Sequence, residues 1–223
     1  MARQVDRRSG AVPATALPAT QARSERTRDR ILDAAESLLE RAGPEAATVP
    51  AIASAAGVAV GSVYRRFVDK DAVLRGVYER FLSRGSVMNR AALSVVHAQD
   101  LPLEQLVPLI VRAMVRGYQQ EPALLSALLE YAEWHPDSAF HRRVEALRRE
   151  TFAALEQLLL ARRHEIRHPR PSQAINFLLA TIGLVLKETL RHGKRSAIAM
   201  KPEDLCQELE RFAVRYLDIL RID

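Results

Sequence analysis

The chain has 223 residues, 48% of them hydrophobic and 27% charged, with a formal net charge of +6. That length buries a full core in one extended or two small domains, and the basic balance gives weight to an anionic partner. A single cysteine, Cys206, excludes an intrachain disulfide and a cysteine-built zinc site, and suits a reducing compartment.

Charges or prolines interrupt every apolar run, so none is expected to span a membrane. Arg3, Arg7 and Arg8 precede AVPATALPAT, whose two prolines and small residues make no signal-peptide core, so a cytoplasmic location is expected. Residues 1–23 mix Arg, Ala, Pro, Thr and Ser without periodicity and read as a disordered basic tail. Composition leaves two readings of it open: a solvated tail, or an arm that adds phosphate or minor-groove contacts.

From Ser24 onward the pattern is helical. Ile31, Ala34, Ala35, Leu38, Leu39 and Ala42 recur on one face, and Gly43-Pro44 ends that helix. Two short helices follow on either side of Ala56-Gly57-Val58. Thr48 opens the first as its cap, Pro50 is tolerated in the first turn, and Ile52, Ala53 and Ala56 are small or apolar enough for a close crossing. Gly57 stands where a tight helix-helix turn needs a residue without Cβ, and Val58 tucks beneath it. The second short helix is predicted from about Ala59 to Phe67, with Val63 and Phe67 inward. Asp69 caps a fourth helix, which carries a stripe of Leu74, Val77, Tyr78, Phe81 and Leu82.

The remainder reads as long helices separated by proline or glycine. Leu103, Leu106, Val107, Ile110, Val111, Met114 and Tyr118 form one face, which ends near Glu121-Pro122. Leu124 to Trp134 make a shorter helix, and Phe140 to Leu159 a long amphipathic one with an arginine-rich outer side. Residues 172–192 are apolar nearly all round, which requires cover on every side and suggests a helix shared between a core and a partner subunit. Leu205, Leu209, Phe212, Ala213, Tyr216, Leu217 and Leu220 stripe the last helix, over 203–220. The expected fold is all-α: an N-terminal three-helix bundle with a helix-turn-helix, followed by a larger helical domain, to which the resemblance named below assigns effector binding and dimerisation. The expected divisions are a tail over 1–23, a helix-turn-helix domain over 24–71 and a helical domain over 72–223.

The outward residues of the second short helix have the chemistry of a DNA reader. Small Gly61 and Ser62 allow close approach to base edges in a major groove, beside Val60. Arg65 and Arg66 can make bidentate contacts to guanine or meet phosphate, the Tyr64 hydroxyl can donate to phosphate, and Lys70 lies at a helix start where free N–H groups also attract it. With Thr48, the predicted set divides into phosphate anchors (Thr48, Tyr64, Lys70) and base readers (Val60, Gly61, Ser62, Arg65, Arg66).

A competing motif lies at His164-Glu165-Ile166-Arg167-His168, a literal HExxH of the kind that holds zinc in hydrolases. Pro169 biases His168 away from helix, which breaks the geometry the motif depends on, and Arg162, Arg163 and Arg167 repel a cation. No paired nucleophile and base stands elsewhere. The expectation is a protein that is not an enzyme and carries neither cofactor nor metal, with an HExxH zinc hydrolase as the alternative.

The stretch TVPAIASAAGVAVGSVYRRFVDKDAVL resembles the DNA-binding region of the tetracycline-repressor (TetR) family. The residues that carry the resemblance are Thr48, Ile52-Ala53, Ala56-Gly57-Val58, Gly61, Tyr64, Phe67 and Lys70, and the helix from Arg28 to Ala35 with its Gly43 break also looks like family members. Ala59 departs from the pattern, since the family often has a capping Ser or Thr there; losing such a cap costs about 0.5–2 kcal/mol. The resemblance implies a transcription regulator, most often a repressor, that binds a palindromic duplex operator as a homodimer and encloses a small apolar or amphipathic effector. The helices at about 172–192 and 203–220 are then the expected dimer interface, and Met114, Tyr118, Trp134 and Phe177 the expected effector-binding residues.

Overall fold

The computed structural model describes residues 19–98, 101–136 and 138–220, and within them the apolar periodicities resolve into helices, as expected. In chain order these are α1 (Ala19–Ala46), α2 (Val49–Ala56), α3 (Val60–Tyr64), α4 (Lys70–Ala98), α5 (Leu103–Gln119), α6 (Pro122–Trp134), α7 (Ala139–Leu160), α8 (Pro171–His192) and α9 (Pro202–Tyr216). Short 3-10 turns lie at Arg163–Glu165 and Gly193–Arg195. The extended backbone pairs only at an isolated antiparallel bridge, Ile166 with Ile219, among the described residues.

Local chemistry explains most boundaries. The Ala51 N–H donates to Thr48 Oγ at 3.3 Å, the Ala72 N–H to Asp69 Oδ1 at 2.7 Å and the His141 N–H to Ser138 Oγ at 3.0 Å, so α2, α4 and α7 each start on a side-chain cap. α1 leaves helical geometry at Gly43, ahead of Pro44. Its other end lies further upstream than Ser24: residues 19–23 are helical, which corrects that part of the expected tail, and residues 1–18 lie outside the described residues. The last helix stops at Tyr216 rather than near 220, because the chain turns at Asp218 (φ 49°) and sends Ile219 back to Ile166.

Two cores form. The first joins α1, α2, α3 and the start of α4 to α6 and Phe140, with Ile31, Leu32, Leu39, Ile52, Val63, Tyr78, Leu124 and Leu128 buried. The second gathers α5, the end of α7, α8 and α9 around Leu106, Val111, Leu158, Ile175, Ile182 and Ala213. The first core therefore continues across residues 71/72, which fall inside α4. Gly76 is what lets α4 approach α1: a Cβ there would stand 2.9 Å from Leu32 Cδ2. Glu40 on α1 accepts the Leu124 N–H at 2.8 Å, capping α6 from the head, and the Tyr131 hydroxyl donates to Asp71 at 2.9 Å.

By length and composition alone, Pro171–Arg195 is apolar enough to cross a bilayer, with mean hydropathy 1.2, which corrects the expectation that no run reaches that length. In this fold α8 buries Ala174, Ile175, Leu178, Leu179, Ile182 and Leu186 in the second core. Its opposite side presents Phe177 and Leu184, 56% and 68% exposed.

Candidate nucleic-acid interface

α1, α2 and α4 form the seat for α3. Val63 and Phe67 are buried against them, so Val60 and Tyr64 on the other side face solvent at 40% and 54% exposure. Gly61 has nothing within 4 Å of where a Cβ would lie, and Arg65 is exposed beside it. Arg65 Nη2 donates to Ser62 Oγ at 2.7 Å, so two of the predicted base readers are already oriented together. α3 itself is shorter than the expected 59–67. It is assigned over Val60–Tyr64, while the Phe67 N–H still reaches the Val63 carbonyl at 2.9 Å and carries one further turn. Ala59 is extended and gives α3 no side-chain cap, as its methyl group dictates.

The other predicted contacts are partly occupied within the chain. Arg66 donates from Nη1 to the Ser62 carbonyl at 3.1 Å and from Nε to the Ser24 carbonyl at 3.4 Å, tying α3 to the beginning of α1. Lys70 Nζ donates to the Pro44 carbonyl at 2.7 Å, tying the start of α4 to the last turn of α1. Thr48 accepts the Ala51 N–H, which leaves its hydroxyl hydrogen uncommitted.

Sequence reasoning missed Arg30. Its Nη2 donates to the Ala56 carbonyl and, at 3.2 Å, to the Gly57 carbonyl, so a cation covers the open carbonyls at the end of α2. Gly57 adopts φ 62° and ψ 41°, and a Cβ on it would lie 2.9 Å from that same guanidinium nitrogen. The turn is thus specified twice, by its left-handed backbone and by Arg30. Arg30 precedes Ala56 by 26 residues, so no local pattern could have flagged it. Arg28 lies over the Phe67 ring at 5.9 Å and braces the same junction.

The four expected effector residues do not converge. Met114 and Tyr118 are half-buried beside the second core, and burial raises the Tyr118 phenol. Trp134 is 76% exposed, in a surface cleft with Ser126, Glu130, Glu133, Arg191 and His192. Phe177 lies on the outside of α8, 5.5 Å from the Tyr216 ring, which in turn stacks on Phe212 at 5.5 Å. Periodicity marked Trp134 as an apolar-face residue, and Phe177 stood in a helix apolar nearly all round; neither pattern showed which side the core would cover.

At the HExxH motif the helical turn ends at Glu165 and Ile166 is extended (φ −101°, ψ 116°), so His164 and His168 share no helix face. The Glu165 carboxylate is buried and accepts the Leu103 N–H at 2.7 Å, capping α5. This geometry corrects the zinc-hydrolase alternative: the glutamate is a structural acceptor.

Comparison with known proteins bears on the same segments. Residues 31–77 match the family of bacterial regulatory proteins, tetR family. The chain is 32% identical over 153 residues to KstR, an HTH-type transcriptional repressor of Rhodococcus jostii (strain RHA1), spanning 64% of this chain and 69% of KstR. Its fold resembles that of a TetR transcription regulator from Haloarcula marismortui (TM-score 0.65, 19% identity, 88% of this chain and 100% of that one). It also resembles FadR of Bacillus subtilis in complex with stearoyl-CoA (TM-score 0.59, 15% identity, 83% and 97% covered).

Proposed function

The chain belongs to the tetR family of bacterial regulatory proteins, and from that premise we propose a homodimeric repressor that holds a palindromic operator and lets go when a small apolar or amphipathic effector binds. The observation that carries the proposal is the exposed face of α3, whose other side packs on a buried seat. Residues 24–71 are assigned the DNA and residues 72–223 the effector and the partner subunit. A DNA partner also implies a cytoplasmic location.

In this reading Val60, Gly61 and Ser62 approach the base edges. Arg65, already steered by Ser62, keeps free guanidinium N–H groups for guanine or phosphate. Tyr64 donates to phosphate. Thr48 and Lys70 act as phosphate anchors, and Arg66, expected among the base readers, joins them here because its bonds to the Ser62 and Ser24 carbonyls hold it back from the groove; each retains at least one donor. Dimerisation uses the outer faces of α8 and α9, where Phe177, Leu184, Phe212 and Tyr216 form an apolar surface. KstR is named a repressor and FadR is seen with stearoyl-CoA, which supports repression and an apolar effector here.

Met114 and Tyr118 are the nearest of the expected effector residues to the core, with Trp134 and Phe177 at its margins. An effector that favours one arrangement of α6 would shift the spacing of the two heads through Glu40 and Asp71, a population shift set by its differential affinity for the two states. Footprinting across the DNA upstream of its own gene tests the proposal. Two protected half-sites about 34 Å apart, one helical turn, are the expected result; absence of any protected palindrome at low salt contradicts it.

A further inference from the structure

The family match begins at residue 31, yet α1 extends twelve residues further upstream, to Ala19. This added length runs beside the DNA-facing surface. Arg66, at the end of α3, donates to the Ser24 carbonyl, so the first turns of α1 and the end of α3 are in direct contact. Arg23, Arg26 and Arg30 recur at i, i+3 and i+7, which places them on one side of α1. Arg30 fixes where that side looks, because its guanidinium reaches the Ala56 and Gly57 carbonyls at the turn between α2 and α3. Of the acids on this helix, the Asp33 carboxylate is taken by Arg80 of α4, which also donates to the Asp29 carbonyl.

Arg23 and Arg26 are exposed, and neither side chain has an ion pair or hydrogen-bond partner among the described residues. Arg28 and Arg30, on the same helix, are both engaged. Two cations without a partner among the described residues thus stand in continuity with the exposed face of α3, on a helix joined to its end by a hydrogen bond.

We propose that Arg23 and Arg26 form a second phosphate-binding edge, gripping the DNA backbone that flanks the major groove entered by α3. The inference rests on the DNA-binding reading and assigns it two residues outside the family-matching segment. Their contribution is sequence-independent, because phosphate contacts position a protein without reading bases. It is also strongly salt-dependent, since each neutralised phosphate releases condensed counterions.

Fluorescence anisotropy of the full chain on a random-sequence duplex, titrated across salt concentrations, tests the edge. In the Arg23→Ala/Arg26→Ala variant the slope of log affinity against log salt falls by about 0.9 for each phosphate that is no longer neutralised. The Arg23→Lys/Arg26→Lys variant restores the slope, because a point charge suffices for phosphate. A control variant, Arg90→Ala/Arg149→Ala, removes exposed charge from α4 and α7 and leaves the slope as it was. Circular dichroism and thermal melting keep the comparison to folded protein, and alanine is a strong helix former in any case. An unchanged slope in the first variant, or an equal fall in the control, overturns the inference while the DNA-binding reading stands. Wild-type protein without salt-dependent duplex binding overturns the reading beneath it.

Discussion

The head (α1 to α3 with the first turns of α4) and the body behind it are built from the same kind of helices but constrained in different ways. In the head, positions are pinned by specific local chemistry: a cap at Thr48, a left-handed Gly57, a guanidinium over open carbonyls, a lysine tying α4 to the last turn of α1. In the body, apolar packing dominates. Glu165, a buried carboxylate that caps α5, is one exception there, and the buried Ser196 hydroxyl is another. The head should therefore be sensitive to single atoms at a few positions, and the body to the loss of its few buried polar contacts.

That contrast can be broken from the body's side first. Glu165→Ala strands the Leu103 N–H in the core and should cost about 1–3 kcal/mol. Thermal unfolding should show the loss, while duplex affinity of the folded protein at low temperature stays close to wild type. An equal loss of affinity would mean that the head is not insulated from this end of the body. In the head, Gly57→Ala forces a Cβ into a left-handed residue and toward Arg30. It should cost about 1–2 kcal/mol of stability, and duplex affinity should fall at least tenfold, beyond what the stability loss implies.

The joint between the two regions gives a smaller effect. Tyr131→Phe removes the hydrogen bond to Asp71 and should cost about 0.5–1.5 kcal/mol in denaturant unfolding. Burial first, and then that bond to the Asp71 carboxylate, push the Tyr131 phenol from 10.0 up to about 12. A raised folded-state value means that the contribution is intact below pH 10 and is lost as pH rises through about 12. The variant should therefore show a shallower alkaline decline in stability over that window. Smallest is Gly183→Ala in the body, where the new Cβ meets only Phe152 Cζ at 3.9 Å. Stability should rise by up to about 1 kcal/mol from helix propensity, with DNA affinity unchanged.

The same contrast explains what could be read from the chain alone. The caps at Thr48 and Asp69, the turn at Gly57 and the exposed set Val60, Gly61, Tyr64 and Arg65 are legible because short-range backbone chemistry demands those residue types. Most helix boundaries in the body are legible from proline and apolar spacing, except the end of α9, which the pairing of Ile219 with Ile166 sets. What lay beyond reach depends on tertiary approach: Arg30 over a turn 26 residues away, Gly76 against Leu32, and Arg66 and Lys70 partly engaged within the fold. The outward turn of Trp134 and Phe177 belongs to the same class, since a periodic stripe shows that a face exists without showing what it meets.

The most direct test of DNA recognition by α3 is the affinity of wild type and of Tyr64→Ala/Arg65→Ala for the upstream duplex and for a scrambled one. Both side chains are exposed, so the melting temperature should be unchanged. Wild type should prefer the upstream sequence, and the variant should lose about 1–3 kcal/mol of that preference. An unaltered preference for the upstream duplex in the folded variant would contradict recognition through α3.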